Sequence, residues 1–202
     1  MRIPDRWLRR IPPTFTPAHL TSGSQNEASV GNAPRSEGGQ PVSKRRKRTS
    51  QNLPAKGRLR DMADSLWSLA VRADWGGRCA VCGCRKCEAH HLIPRQHQST
   101  RYDLRNGISL CCSHHKFDKD LSPHLNAAGW LLWLSEMLPA CHCWYTETVK
   151  QGGYRQFDGM TTALYYCDVI RRLKEYVADD DFARVVGQRF ATYLERETDD
   201  GS

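Results

Sequence analysis

The stretch that decides the fold runs from Cys79 to His115 and reads CAVCGCRKCEAHHLIPRQHQSTRYDLRNGISLCCSHH. It holds residues suited to two kinds of metal chemistry. One set has the spacing of a closed zinc site, in which the protein fills all four coordination positions. The other set, two adjacent histidines followed by an asparagine and a last histidine, suits an open site with room for water and substrate.

The closed set is made of two pairs with equal spacing, Cys79-x2-Cys82 and Cys111-x2-His114. Three thiolates and one imidazole are a normal tetrahedral zinc set, so we favour this structural Zn²⁺ site. A rival four-thiolate set would use Cys79, Cys82, Cys84 and Cys87, but the close spacing of these residues would strain it. The third alternative is that the cysteines are only buried or free thiols.

The whole pattern resembles the HNH endonuclease family of ββα-metal nucleases, in which Cys-x2-Cys, His-His, Asn-Gly-Ile-x-Leu-Cys and a final histidine recur. The resemblance covers residues 62–121. The family usually has a cysteine where His114 stands, and imidazole and thiolate both suit zinc. The resemblance implies an α+β fold class, with a small zinc-stabilised ββα-metal finger flanked by helices.

The resemblance also implies which residues carry out the chemistry. His91 would be the general base, while His90 and His115 would bind the catalytic metal. Asn106 matches the middle asparagine of the family and would tie down a loop and orient the base. Since neighbours on a strand point to opposite faces, one site for His90 and His91 requires a bulge or a distortion near Pro94.

The catalytic cofactor is expected to be a divalent metal, with Mg²⁺ or Mn²⁺ as the first choice. Two imidazoles are softer ligands than Mg²⁺ prefers, so Ni²⁺ and Zn²⁺ are alternatives. We expect His97 and His124 to be surface residues, with an auxiliary role as ligand or base as the alternative for His124.

The finger itself is predicted as two short strands and a helix. The apolar and histidine-bearing run Ala89–Ile93 predicts the first strand, and Ile108–Leu110 predicts the second after the turn signal at Asn106 and Gly107. Residues 94–106 are polar and predict a loop. A helix is predicted from Ser113 onward, carrying both following histidines and Asp118.

Basic residues concentrate in two parts of this chain, whose net charge is +8. Residues 1–57 are rich in Pro, Ser, Gly and Arg and poor in large apolar residues, which predicts a disordered basic arm. Either basic part would attract DNA phosphates, with a merely solvated surface as the alternative. The expected DNA contacts are Lys44, Arg45, Arg46, Lys47 and Arg48 in the arm, and Arg95, Arg101, Arg105, Lys116 and Lys119 in the finger.

Three parts are predicted along the chain. They are the arm 1–57, an HNH nuclease domain 58–124 with a preceding support helix over 58–73, and a helical C-terminal region 125–202. The support helix is expected to have a packing role only. Helices near 130–138, 164–174 and 182–194, the first ended by Pro139, would complete the core or bind a protein partner.

The composition excludes several classes of protein. No run of 18 apolar residues exists, so no membrane span is expected. An odd count of nine cysteines, without an apolar leader, disfavours a secreted disulfide scaffold. We therefore expect a cytoplasmic protein of a bacterium or of a phage-infected host cell.

The leading hypothesis is thus a metal-dependent HNH-type DNA endonuclease of phage-like kind, with DNA as its partner. The alternative is a non-catalytic, zinc-stabilised DNA-binding or adaptor module. The histidines at 90, 91 and 115 discriminate between the two, because a pure binding module does not need them. An RNA-directed role is less favoured, since the finger lacks a stacking motif of the RNA-recognition type.

Overall fold

Helix α1 (Lys56–Asp74) carries the apolar stripe around which the fold is organised. Its buried positions recur every three or four residues, as one face of a helix requires. It ends at Asp74, with Trp75 as the capping residue, because Gly76 and Gly77 follow with φ of 64° and 67°, a region that favours glycine. The buried residues are Leu59, Met62, Ala63, Leu66, Trp67, Ala70 and Val71.

The computed structural model describes residues 53–152 and 162–199, with side chains as far as Leu194. Residues 1–52 of the predicted basic arm, including the run Lys44–Arg48, lie outside the described residues. Residues 56 and 57 of the predicted arm belong to α1.

Two antiparallel strands, β1 (Cys87–His91) and β2 (Gly107–Cys111), form the sheet of the finger. The register pairs Cys87 with Cys111 and His91 with Gly107, so the pairing is regular and contains no bulge in these strands. A Cβ on Gly107 would overlap the side chain of Val71 in α1, so glycine permits this close approach. Strand β1 begins two residues earlier than predicted and ends before Pro94.

The segment between the strands is more ordered than the predicted loop. It contains a single turn of helix, α2 (Gln98–Arg101), and a 3-10 turn at Leu104–Asn106. After β2 comes a short π-helical turn, Ser113–Phe117. The prediction that a helix from Ser113 onward includes Asp118 is wrong, because the helical turn ends at Phe117 and Asp118 is extended, with φ −70° and ψ 123°.

The C-terminal part is helical, as predicted, but it is divided differently. Pro139 does not merely end a helix, since it also occupies the first turn of the next one, where its missing N–H costs nothing. Gly187, with φ 81°, separates the last two helices, which were predicted as one. The helices are α3 (Ala127–Met137), α4 (Pro139–Lys150), α5 (Ala163–Lys174), α6 (Asp179–Val186) and α7 (Gln188–Asp199).

Helix α1 packs most extensively against α5 and also contacts both strands and α6. The finger and the C-terminal helices therefore share one central helix. The architecture is mixed, with many helices around a two-stranded sheet, which confirms the α+β class in its coarse form. Within the described ranges, every helix is too short or too polar to cross a bilayer.

Candidate metal centres

The first candidate centre consists of Cys79, Cys82, Cys111 and His114, whose ligand atoms all lie within 4.8 Å of one another. The sulfurs of Cys82 and Cys111 are 3.9 Å apart, and Nδ1 of His114 is 3.1 Å from the Cys111 sulfur. A tetrahedral zinc ion with Zn–S bonds of about 2.3 Å separates two sulfurs by roughly 3.8 Å. The donor set and its spacing therefore fit a closed zinc site.

Local backbone geometry explains why Cys79 and Cys82 face the same point. Gly83 N donates to Cys79 O at 2.9 Å, and Cys79 N donates to Cys84 O at 2.8 Å, so the chain turns tightly. Gly83 has φ 74°, which this turn requires. A third bond, from Ala80 N to Ser109 O, ties the turn to β2, the strand that ends in the third ligand.

The rival four-thiolate set is not brought together among the described residues. Of the two alternatives for the cysteines, the set of Cys79, Cys82, Cys111 and His114 is the one that meets the distances for a shared ion. Cys84 is exposed, and its thiol lies beside those of Cys82 and Cys111. The Cys87 thiol instead donates to the Cys84 carbonyl at 3.1 Å.

The second candidate centre consists of three imidazoles, from His90 on β1, His115 on the π-helical turn and His124 on the following loop. Nε2 of His115 lies 3.1 Å from His90 Nδ1 and 3.1 Å from His124 Nε2. Two nitrogens bound to one metal at about 2.1 Å are roughly 3.0 to 3.4 Å apart, depending on the bond angle. This trio therefore fits one divalent ion.

The two less exposed members of the trio, His90 and His115, favour the neutral, ligating form. Desolvation, followed by the neighbouring His115 and His124, lowers the pKa of His90 to about 3. The pKa of His115 is also lowered, again mainly by desolvation. A neutral imidazole offers a lone pair, whereas a protonated one would repel a cation.

Glu88 orients His115, a role that the sequence analysis missed. His115 Nδ1 donates to Glu88 Oε2 at 2.8 Å, which leaves Nε2 of His115 directed at the trio. Hydrogen bonds from Lys116 and then His115 lower the pKa of Glu88, so the acceptor is ionised. The sequence did contain a signal for this, because side chains two residues apart on a strand lie on the same face. Glu88 and His90 are two residues apart on β1 and therefore share a face.

His124, which the sequence analysis expected at the surface with an auxiliary ligand role as the alternative, completes the trio. Buried Ser122 holds it in place, since Ser122 Oγ donates to the His115 carbonyl at 2.8 Å and accepts from His124 N at 3.2 Å. The sequence gives no local signal for this, because His124 lies on an irregular loop after the finger.

His91 points away from the trio, as strand alternation predicts. Its ring stacks on the Trp67 indole, with 3.7 Å between centroids and 11° between planes. His91 Nε2 donates to the Arg101 carbonyl at 3.0 Å, so Nδ1 keeps its lone pair. Desolvation lowers the pKa of His91 to about 4 against the opposing bond to Arg101, so the imidazole is neutral at pH 7.

Asn106 is fully buried, and its side chain forms hydrogen bonds with the backbone. Its Oδ1 accepts from Ile93 N at 2.6 Å, and its Nδ2 donates to the carbonyls of Ile93 and Thr100 at 2.9 and 3.0 Å. These bonds hold the chain at Ile93, two residues after His91. Asn106 therefore joins the chain after β1 to the α2 turn.

The expected DNA contacts separate into two groups. Arg101 is only 8 % exposed and its guanidinium binds Asp64 and the Arg95 carbonyl, so its position does not support a phosphate contact. Arg105 is engaged with the neighbouring Asp103. The remaining described candidates are exposed: Arg95, Lys116, which pairs with Glu88, and Lys119.

Comparison with known proteins bears on the segment that holds most of both centres. Residues 79–121 match the family model described as HNH endonuclease. No curated protein and no solved structure matches the chain. The matched residues include Cys79, Cys82, Cys111 and His114, the His90–His91 pair, Asn106 and His115, so residues 79–121 of this chain are similar to the HNH endonuclease family.

Proposed function

We propose that this protein is a metal-dependent DNA endonuclease. One observation supports it above the others: His90, one member of a histidine trio suited to a metal, is adjacent on β1 to His91, whose Nε2 is hydrogen-bonded to the Arg101 carbonyl and whose Nδ1 keeps its lone pair. Both histidines lie at the C-terminal end of β1, on its opposite faces, so the proposal requires a phosphate bound at that strand end to reach both faces. The family match of this segment supports the same activity.

In the proposed reaction, Nδ1 of His91 takes a proton from a water molecule. The water oxygen forms a bond to phosphorus, and the bond from phosphorus to the bridging sugar oxygen breaks. The leaving oxygen is protonated from solvent. His90, His115 and His124 would hold the divalent ion, which when bound stabilises negative charge on the phosphate and leaving oxygen.

The third imidazole affects which metal we propose. Mg²⁺ prefers oxygen ligands. Imidazole binds Ni²⁺ and Zn²⁺ more strongly than it binds Mn²⁺. Three nitrogen donors therefore shift the preference toward a transition metal. The thiolate set is proposed to hold a separate, structural Zn²⁺.

Cleavage of supercoiled plasmid tests the activity. We expect wild type to nick or linearise the plasmid with Mn²⁺, Ni²⁺ or Mg²⁺ and to stop when EDTA is added. His91→Ala and His115→Ala should each remove cleavage. The matched control is His142→Ala, a half-buried histidine on α4 outside both centres, which should cut like wild type.

The same experiment separates the endonuclease from the non-catalytic alternative. If wild type cuts with none of these metals but retards DNA in a gel, the chain is a zinc-stabilised DNA-binding module. If the His91→Ala variant cuts as fast as wild type, His91 is not the base.

A further inference from the structure

We propose that helix α1 is part of the nuclease site, because Trp67 and Asp64, one helical turn apart, fix the orientation of His91. This inference rests on the proposed function, in which His91 is the base. It assigns to α1 more than the packing role that its amphipathic pattern predicts. Helix α1 lies before residues 79–121, so these positions are outside the segment that matches the family.

Trp67 provides a rigid platform for the His91 ring. The two rings are almost parallel at 3.7 Å between centroids. The indole is itself fixed, since it is 3 % exposed and its Nε1 donates to the Asp103 carbonyl at 3.2 Å. Rotation of the imidazole out of this plane would lose the stacking contact.

Asp64 acts on the other side of His91 through Arg101. The Arg101 guanidinium makes a two-pronged pair with Asp64, at 2.8 Å from Nε and 2.5 Å from Nη2, and its Nη1 donates to Arg95 O at 2.9 Å. A paired, buried guanidinium holds the backbone of its own residue in place. The carbonyl of that residue accepts from Nε2 of His91.

The two contacts together leave the imidazole one available nitrogen. The Arg101 carbonyl can only accept, so Nε2 carries the proton and Nδ1 is the base. Asp64 and Trp67 are three apart on α1 and therefore lie on one face of the helix. His90 reaches toward His115 and His124 instead, so metal binding and orientation of the base are separable.

Steady-state cleavage of a DNA duplex by the full chain tests the inference. Trp67→Leu should lower kcat about 10- to 100-fold, since small misplacement of a catalytic group costs that much. KM and the affinity for Co²⁺ at the trio, followed by visible absorption, should stay within about twofold of wild type because His91 is not a ligand. Trp67→Phe keeps a ring to stack on and should recover kcat to within about fivefold of wild type.

Asp64→Asn gives an independent variant, because the Asp64 side chain is partly exposed and the change preserves its shape. We expect kcat to fall about tenfold with KM again unchanged. The matched control is Leu59→Ala, a fully buried residue on the same helix. It lies about 12 Å along the helix axis from Trp67 and should lose stability without altering the surroundings of His91. Its kcat should equal that of wild type at a temperature where it is folded.

The outcomes distinguish this inference from the proposed function. If wild type does not cut, the proposed function fails and the inference fails with it. If wild type cuts and His91→Ala does not, but Trp67→Leu and Asp64→Asn match wild type in kcat, only the inference is overturned. Equal losses of kcat in Leu59→Ala would also overturn it. Should Trp67→Leu not fold by circular dichroism, Trp67→Phe and Asp64→Asn decide.

Discussion

Two adjacent histidines have different surroundings in this protein because strand residues alternate in direction. His90 meets His115 and His124, and His91 meets Trp67 and the Arg101 carbonyl. Regular pairing of β1 with β2 preserves this separation. The bulge that was expected to bring the two rings into one site is absent from β1, so His90 and His91 lie on opposite faces of the strand.

The contact between Glu88 and His115 predicts that Glu88 strengthens metal binding at the trio. Replacing Glu88 by Gln removes the charged acceptor of His115 Nδ1 and should weaken Mn²⁺ binding about tenfold, as loss of such an orienting partner typically does. Isothermal titration calorimetry measures the effect, and cleavage should recover at saturating metal. The control is Glu136→Gln, an exposed glutamate on α3. Unchanged affinity in Glu88→Gln would show that this carboxylate does not orient the ligand.

At the scale of elements, the proposed zinc site joins the tight turn at Cys79–Cys82 to the end of β2. Cys111 is the last residue of β2, and His114 follows in the π-helical turn. The same turn carries His115. An ion bound by the thiolate set would therefore hold the trio's supporting turn against the sheet, as structural zinc commonly does in small domains.

Zinc content distinguishes the two thiolate sets. Cys111→Ser should lose about one zinc ion per chain and a large part of its thermal stability, because one of four ligands is removed. Cys87→Ser should retain zinc, since Cys87 lies outside the set that meets the ligand distances. Atomic absorption spectroscopy on both variants and wild type measures this. Loss of zinc in Cys87→Ser with retention in Cys111→Ser would support the rival set.

At the scale of the whole molecule, α1 links the finger to the C-terminal helices. It packs against both strands on one hand and against α5 and α6 on the other. The predicted boundary between the domain 58–124 and the C-terminal region 125–202 therefore stays a prediction. The buried core continues across it through α1. A protein partner for the C-terminal helices also stays a prediction.

A buried residue of α5 tests this continuity. Ile170→Ala should lower the free energy of unfolding by about 3 kcal/mol, through lost burial and the cavity left behind. Urea denaturation should show one transition for both the tryptophan fluorescence and the far-ultraviolet signal. Leu132→Ala, at a position 60 % exposed, should change stability by less than about 0.5 kcal/mol. Two separate transitions would mean that the C-terminal helices unfold independently.

The sequence by itself determined the local features of this protein. Cys-x2-Cys and Cys-x2-His spacing brings ligands to one point through a single turn of chain, and strand alternation places His90 and His91 on opposite faces. The apolar stripe of α1 could be predicted for the same reason, because it depends on residues three or four positions apart in the sequence. The tertiary structure decided the rest, since those contacts join residues far apart in sequence. Arg101 is a cation in the basic segment, yet its pairing with Asp64, 37 positions away, places it in the interior. Packing likewise brought His124 to the trio and Trp67 against His91, contacts for which no spacing rule exists.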